Sequence, residues 1–236
     1  VPAASAVLLR DRPSGLEALL LRRTSAASFA PGAWVFPGGR VDPGDMSGEI
    51  GSDTSAELAA ARRAAVRETA EEAGLMIDGA ELTPLACWCP PARAPRRFLT
   101  WIMIGRAPEQ DVVVDGGEIT DYRWMRPAEA LIARDQGDLD LLPPTWVTLW
   151  TLAGHPTVAD ALAATSAAPP ELFETRITKV PGGAVALWQD DAEYDVADRR
   201  DTASSTGQGG RHRLWMLDTG WRYERAPSAG AIGEAS

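Results

Sequence analysis

Cysteine and histidine are scarce in this chain of 236 residues, with two of each. Cys87 and Cys89 stand in CWC, where an extended strand puts both thiols on one face and Trp88 on the other. A zinc site needs further ligands, and His155 and His212 stand alone in unrelated segments, so the thiols read as reduced packing residues. Basic charge is also short: 23 Lys and Arg face 33 Asp and Glu, for a net charge of −10. That balance argues against a surface built to hold a nucleic-acid backbone by counterion release, although small anions stay open if a cation supplies the positive charge. No run approaches the roughly 20 apolar residues of a membrane span, and the N-terminus lacks a charged region followed by an apolar run. The expectation is a cytoplasmic protein with no nucleic-acid polymer and no membrane as partner.

The hydrophobic content of 45% is that of an ordinary folded protein. Residues 3–10 and 16–22 read as two short apolar strands joined by DRPSG, whose Pro13 and Gly15 suit a hairpin turn. Residues 34–36 read as a further strand ended by Pro37 and two glycines. Thr54 followed by Glu57 forms a capping box, and with no Gly or Pro until Gly74 the sequence predicts one helix over 55–73. Its apolar stripe is expected at Val66, Thr69, Ala70 and Ala73, with Gly74 closing the helix in a left-handed cap. Strands are expected at 75–77, 82–89, 98–105 and 120–125, then helices from Arg126 and over 146–152 and 158–164. Residues 172–194 and 211–224 alternate apolar and polar positions and read as strands of a C-terminal extension. The segment DRRDTASSTGQGGR between them has the composition of a mobile loop, and the tail 226–236 that of a disordered one.

The sharpest local feature is RETAEEAG, residues 67–74. At 100° per residue Glu68, Glu71 and Glu72 fall together on one side of the helix, opposite the Val66/Ala73 stripe. Three carboxylates within a turn repel one another unless a cation sits among them. Hard divalent ions take such oxygens and bind most usefully when substrate phosphates complete their shell. Arg67, four residues before Glu71, is placed to brace a carboxylate. An acidic solvated helix face is the commoner meaning of such an octapeptide, and the context decides between them.

RETAEEAG preceded by FPGG (36–39) resembles the signature of the Nudix hydrolase superfamily. Gly39 and Asp45 occupy its first two places, and Arg67, Glu68, Glu71, Glu72, Gly74 and Leu75 match its second half. Asp45 replaces the usual Glu, Thr69 stands at an apolar position, and the spacer to Arg67 is enlarged by 14 residues within MSGEIGSDTSAELA, an enlargement that a surface loop can absorb. An enlarged box is similar to that of the branch containing the peroxisomal coenzyme A diphosphatases. Further segments follow that branch: residues 19–39, RRFLT (96–100), Glu118 six residues before Trp124, RPAEAL (126–131) and LPPT (142–145). Leu99 stands where the branch often has Asp, and Ala27 and Ser28 replace a Leu and an Arg of a motif associated with coenzyme A.

The resemblance implies an α/β fold, a Nudix-type α/β/α sandwich with a mixed β-sheet. The expected division is a Nudix domain over 1–165, and an extension of helix and strand over 166–225 packing on it. By resemblance Glu68, Glu71, Glu72 and Glu118, with the Gly38 carbonyl, hold Mg²⁺ or Mn²⁺. Glu68, Glu71, Glu72, Glu118 and Arg67 are the expected catalytic set, with the general base left open among the glutamates. Arg23, Arg93, Arg96 and Arg97 are candidates for phosphate, since guanidinium matches phosphate oxygens in fork geometry, and Trp34 for stacking on a base. Arg93 belongs to the same basic, Pro-rich loop. The implied activity is hydrolysis of a diphosphate linkage in a nucleotide-like small molecule by water activated at the cation. Coenzyme A or its thioesters lead, and ADP-ribose, dinucleotides and modified nucleoside triphosphates stay open. A non-catalytic nucleotide sensor is the rival, and a homodimer formed through the extension remains open.

Overall fold

The computed structural model describes residues 1–27, 29–46, 56–94, 97–195 and 209–226. It divides into two compact units, Val1–Trp88 with Phe98–Glu171, and Cys89–Arg97 with Leu172–Ser236.

The first unit is built on a hairpin. Strands β1 (Pro2–Arg12) and β2 (Gly15–Arg23) pair antiparallel, with Arg12 opposite Gly15 across the short turn that Pro13 and Gly15 predict. β3 (Trp34–Val35) and β7 (Ile119–Met125) add to β2. β4 (Gly38–Arg40) adds antiparallel to β1, and β6 (Leu99–Arg106) runs parallel to β1 with β5 (Thr83–Cys89) antiparallel beyond it. The sheet is therefore mixed.

Alternation along β1 sends Ala4, Ala6 and Leu8 to one face, where they pack with Leu19 and Leu21 of β2 and with Ala61, Ala64, Ala65 and Ala73 of helix α1 (Ala56–Ala73). Val7 and Leu9 of β1, one step out of phase, are equally buried. The remaining helices are α2 (Pro127–Asp135), α3 (Pro143–Leu152) and α4 (Val158–Ser166). α2 meets β2, and α4 meets β1 and β6. Pro127 and Pro143 each occupy a first helical turn, where a missing N–H costs nothing. A mixed sheet covered by helices on both faces is the α/β sandwich expected. Among the described residues no helix is long and apolar enough to cross a membrane.

Two expectations need correction. Residues 75–77 form no strand: Gly74, at φ +67°, caps α1 as anticipated, and the chain beyond runs irregularly to a 3₁₀ turn at Gly79–Glu81. The buried stripe of α1 is Ala60, Ala61, Ala64, Ala65, Thr69, Glu72 and Ala73, whereas Val66 and Ala70 are only half-buried. Glu72 thus lies on the packed face and not opposite it. An alanine-rich helix can bury any side that meets a sheet closely, so its one Val did not mark the stripe. The expected cap at Thr54 and most of the enlarged box lie outside the described residues, as do Arg96, residues 198–208 of the expected mobile loop and, Ala226 excepted, the tail.

In the second unit β9 (Arg176–Val180), β10 (Gly183–Leu187), β11 (Arg211–Leu217) and β12 (Gly220–Ala226) form an antiparallel meander, after the short β8 (Glu171–Glu174). Phe173, Trp188, His212 and Tyr223 pack as an aromatic cluster. Arg213 is fully buried and is held by Asp191, itself buried, through a paired contact from Nε and Nη2. Both cysteines are free thiols, Cys87 buried and Cys89 half-buried.

Candidate metal and phosphate site

The register of the sheet brings four segments of the first unit to one end. β1 begins there, and its Ala4 and Ser5 pair with Gly39 and Gly38 of β4. β2 ends there at Arg23, opposite Ile119 at the start of β7, so Glu118 lies beside it. The last turns of α1 pass over β4 on the face that carries the helix.

Gly39 makes that passage possible, while Gly38 lets β4 lie close against β1. A Cβ on Gly38 would lie 2.3 Å from the Ala4 carbonyl oxygen, and one on Gly39 would lie 2.2 Å from Oε1 of Glu68. Only bare backbone lets the helix carboxylates approach the strand this closely. The Gly38 N–H donates to Oε2 of Glu72 at 2.8 Å. Glu72 is 5% exposed, and burial pushes its carboxyl up to about 8, with Glu68 and Glu118 adding to the rise and the Gly38 N–H and Arg23 opposing it. Burial also raises Glu68, against the pull of Arg67.

Arg67 is the hub of the arrangement. Its Nη1 donates to Glu68 at 2.9 Å and to Glu71 at 3.1 Å, the i,i+4 contact that the spacing predicts. Its Nη2 donates to the Arg40 carbonyl and to Asp45, each at 2.9 Å. Bonding to Asp45 first, and then to Glu68, raises the guanidinium further above its already high value. Burial pushes Asp45 up, but the bonds from Arg67 and the Asp42 N–H outweigh it and hold that carboxyl below its ordinary value. Arg67 therefore ties the helix to the turn at Pro43–Met46 and spaces Glu68 from Glu71.

At the end of β2, Nε of Arg23 donates to the Phe29 carbonyl at 3.2 Å, and its Nη2 lies 3.8 Å from Glu118. Phe29 meets Phe98 edge to face, with ring centroids 5.6 Å apart. Among the described residues no three His, Cys, Asp or Glu side chains converge into a ready-made metal cage. Arg67 and the Gly38 N–H engage the carboxylates instead.

The NUDIX domain family matches residues 1–144. This chain belongs to that family. A Caenorhabditis elegans protein named as nudix hydrolase 7 is similar at 27% identity over 164 residues, which are 53% of this chain and 52% of that protein, so the chain spans about half the length of its curated relative. The crystal structure of a NUDIX hydrolase from Alicyclobacillus acidocaldarius is similar in fold, with a TM-score of 0.61 at 23% identity over 69% of this chain and 95% of that one.

In this Nudix chain the sequence-derived candidates separate into groups. Glu68, Glu72, Gly38, Arg67, Arg23 and Glu118 gather at the one end of the sheet, with Glu71 on the exposed flank of α1. Trp34 is 2% exposed, and the Arg123 guanidinium lies 4.7 Å over its ring, so it is a core residue whose face is already covered. Arg97 belongs to the second unit, where it donates to Cys89 Sγ and the Pro90 carbonyl. Arg93 is exposed. Sequence reasoning missed the clasp of Asp45 on Arg67; the place of Asp45 in the signature was the available signal. A groove of about 810 Å³ lies along the other flank of α1, lined by Arg62, Arg63, Val66, Met76 and Ile77, and it includes Arg67 but none of the glutamates.

The residues present fit a hard divalent cation. The donors are carboxylate and backbone oxygens, without sulfur or imidazole, and the missing Cβ of Gly39 lets the Glu68 carboxylate lie directly against the β4 backbone. A buried carboxyl as reluctant to ionise as Glu72 is the kind of group that positive charge would deprotonate.

Proposed function

We propose that this Nudix domain hydrolyses a diphosphate linkage in a nucleoside-diphosphate-linked small molecule, using Mg²⁺ or Mn²⁺. The observation that carries the reading is Glu72: a buried carboxyl held by a backbone N–H, packed beside Glu68 and faced by Arg23 and Glu118. Glu68, Glu71 and Glu72, with Glu118 and a carbonyl of the Gly38 segment, would hold the ion. When bound, the cation supplies positive charge against the phosphate oxygens and acidifies water.

The chain's own residues supply the rest. Arg67 orients Glu68 and Glu71, and Arg23 is placed to meet phosphate oxygens next to Glu118. Water forms the new bond to phosphorus as the bridging P–O bond breaks, one of the glutamates accepts the proton, and two phosphate-bearing products leave. Glu118, exposed at its carboxylate, is the strongest candidate for that base. Arg96 and Arg97 are proposed as outer phosphate contacts.

Coenzyme A or its thioesters are the favoured substrates, on the likeness of residues 19–39 and the enlarged box to that branch. ADP-ribose, dinucleotides and modified nucleoside triphosphates are the alternatives. Retention of all three helix glutamates favours an enzyme over a non-catalytic nucleotide sensor. The test is incubation of the protein and either cation with a panel of these compounds, with products identified by mass. Cleavage of the diphosphate in coenzyme A ahead of the others supports the full reading. Cleavage of another member supports the coarser one, and tight binding without turnover supports the sensor.

A further inference from the structure

Glu118 projects from a loop with its side chain 73% exposed, so the backbone beneath it must set where its carboxylate can reach. That backbone is pinned at both ends to elements of the site. The Val113 N–H donates to the Ala73 carbonyl, one residue beyond Glu72, and the Glu118 carbonyl accepts from the Thr24 N–H, one residue beyond Arg23. Between these anchors lies a single organising side chain, Asp115. Its Oδ2 accepts from the N–H groups of Gly117 at 3.2 Å and Glu118 at 2.9 Å, and its Oδ1 accepts from the Ile119 N–H at 2.9 Å. Gly116, at φ +72°, turns the chain back so that its own N–H reaches the Ile119 carbonyl.

We infer that Asp115 is a positioning residue, whose carboxylate fixes the turn that holds Glu118 beside Arg23, at the end of the sheet where Glu72 lies. The inference rests on the role proposed above for Glu118. Hydrogen bonds to an ionised acceptor are stronger than neutral ones, and three of them on consecutive N–H groups leave the Glu118 backbone little freedom. The turn is exposed and carries two glycines, so without the carboxylate it samples many conformers in which Glu118 points elsewhere. Asp115→Asn keeps one acceptor oxygen and should retain part of the effect.

The test is a double-mutant cycle on the full chain with Asp115→Ala, Asp115→Asn, Glu118→Ala and the Asp115→Ala/Glu118→Ala pair. Mn²⁺ affinity by calorimetry, turnover of a diphosphate substrate and amide exchange at Gly117, Glu118 and Ile119 are read for each. The expected result is that Asp115→Ala lowers by about tenfold or more whichever of affinity or turnover Glu118→Ala lowers, speeds exchange of the three amides, and changes nothing further once Glu118 is gone. Asp115→Asn falls between. An equal loss from Asp115→Ala with and without Glu118 would mean general loosening and overturn the inference, as would wild-type values for Asp115→Ala alone. If Glu118→Ala is itself silent, the role of Glu118 fails and Asp115 falls with it. The diphosphatase reading stands in that case provided that the wild type turns over substrate and Glu72→Gln does not.

Discussion

Replacing Glu72 by glutamine should abolish the pH dependence of stability that this one side chain imposes on the cation-free protein. The carboxyl is raised from 4.5 to about 8 chiefly by burial, so the folded chain binds that proton more tightly than the unfolded chain does. Its contribution is therefore complete below about pH 4.5 and is lost progressively as pH rises toward 8. A shift of this size corresponds to about 5 kcal/mol at the upper end, a large part of the net stability of a domain. Glutamine is neutral at every pH and can still accept from the Gly38 N–H, so it should remove the decline and leave the variant more stable than wild type at pH 8. Urea unfolding at pH 5, 6, 7 and 8 in chelator, for both proteins, measures the difference directly. The carboxyls held low, Asp45 and Asp191, act below this window and cancel in the comparison. Adding Mg²⁺ or Mn²⁺ at pH 8 should restore the wild type, by about 2.7 kcal/mol at a hundredfold excess over the dissociation constant, and do little for the variant. Parallel curves for the two proteins, with and without cation, would refute the placement of Glu72.

The same substitution should lower turnover by orders of magnitude while the fold survives, as circular dichroism and the melting transition would show. Gly39→Ala places a methyl against the Glu68 carboxylate and should cut turnover and Mn²⁺ affinity together at small cost in stability, which kinetics and calorimetry on one preparation can separate. In the second unit Asp191→Ala leaves the buried Arg213 charge without its main partner and should destabilise that unit by about 3–5 kcal/mol, read by urea unfolding. Shortening MSGEIGSD, whose role is expected to be that of a surface loop, should leave cation-dependent turnover measurable; complete loss in a folded variant would count against that expectation.

Much of the first unit was legible because its elements obey strong local rules. The hairpin of β1 and β2 has apolar runs with a turn at Pro13 and Gly15, α1 is free of Gly and Pro until Gly74 closes it, and β5, β6 and β7 fall within a residue or two of their expected bounds. β4 lies beyond the strand expected over 34–36, at glycines that mark a strand's end, because GGR has no β-forming side chain; its pairing with β1 is made by backbone alone. The segment at 75–77 has strand composition, yet Leu75 serves the core beside α1 and no neighbouring strand offers it a partner among the described residues. At the site, residue identity and helical spacing pointed to the glutamates and to the Arg67–Glu71 contact. Spacing could not tell which glutamate is buried, since that depends on where glycine backbone lets the sheet approach. Asp115 was illegible for a different reason: three bonds to its own loop leave no periodic trace, and only the folded chain brings that loop between Ala73 and Thr24.

Hydrolysis in ¹⁸O-labelled water tests the central claim most directly. Wild-type protein with Mg²⁺ or Mn²⁺ should convert a nucleoside-diphosphate-linked compound to two phosphate-bearing products, with one labelled oxygen in one of them, and Glu72→Gln should leave the compound intact. An unreacted panel with folded, cation-loaded wild type, or cleavage that Glu72→Gln does not slow, would contradict it.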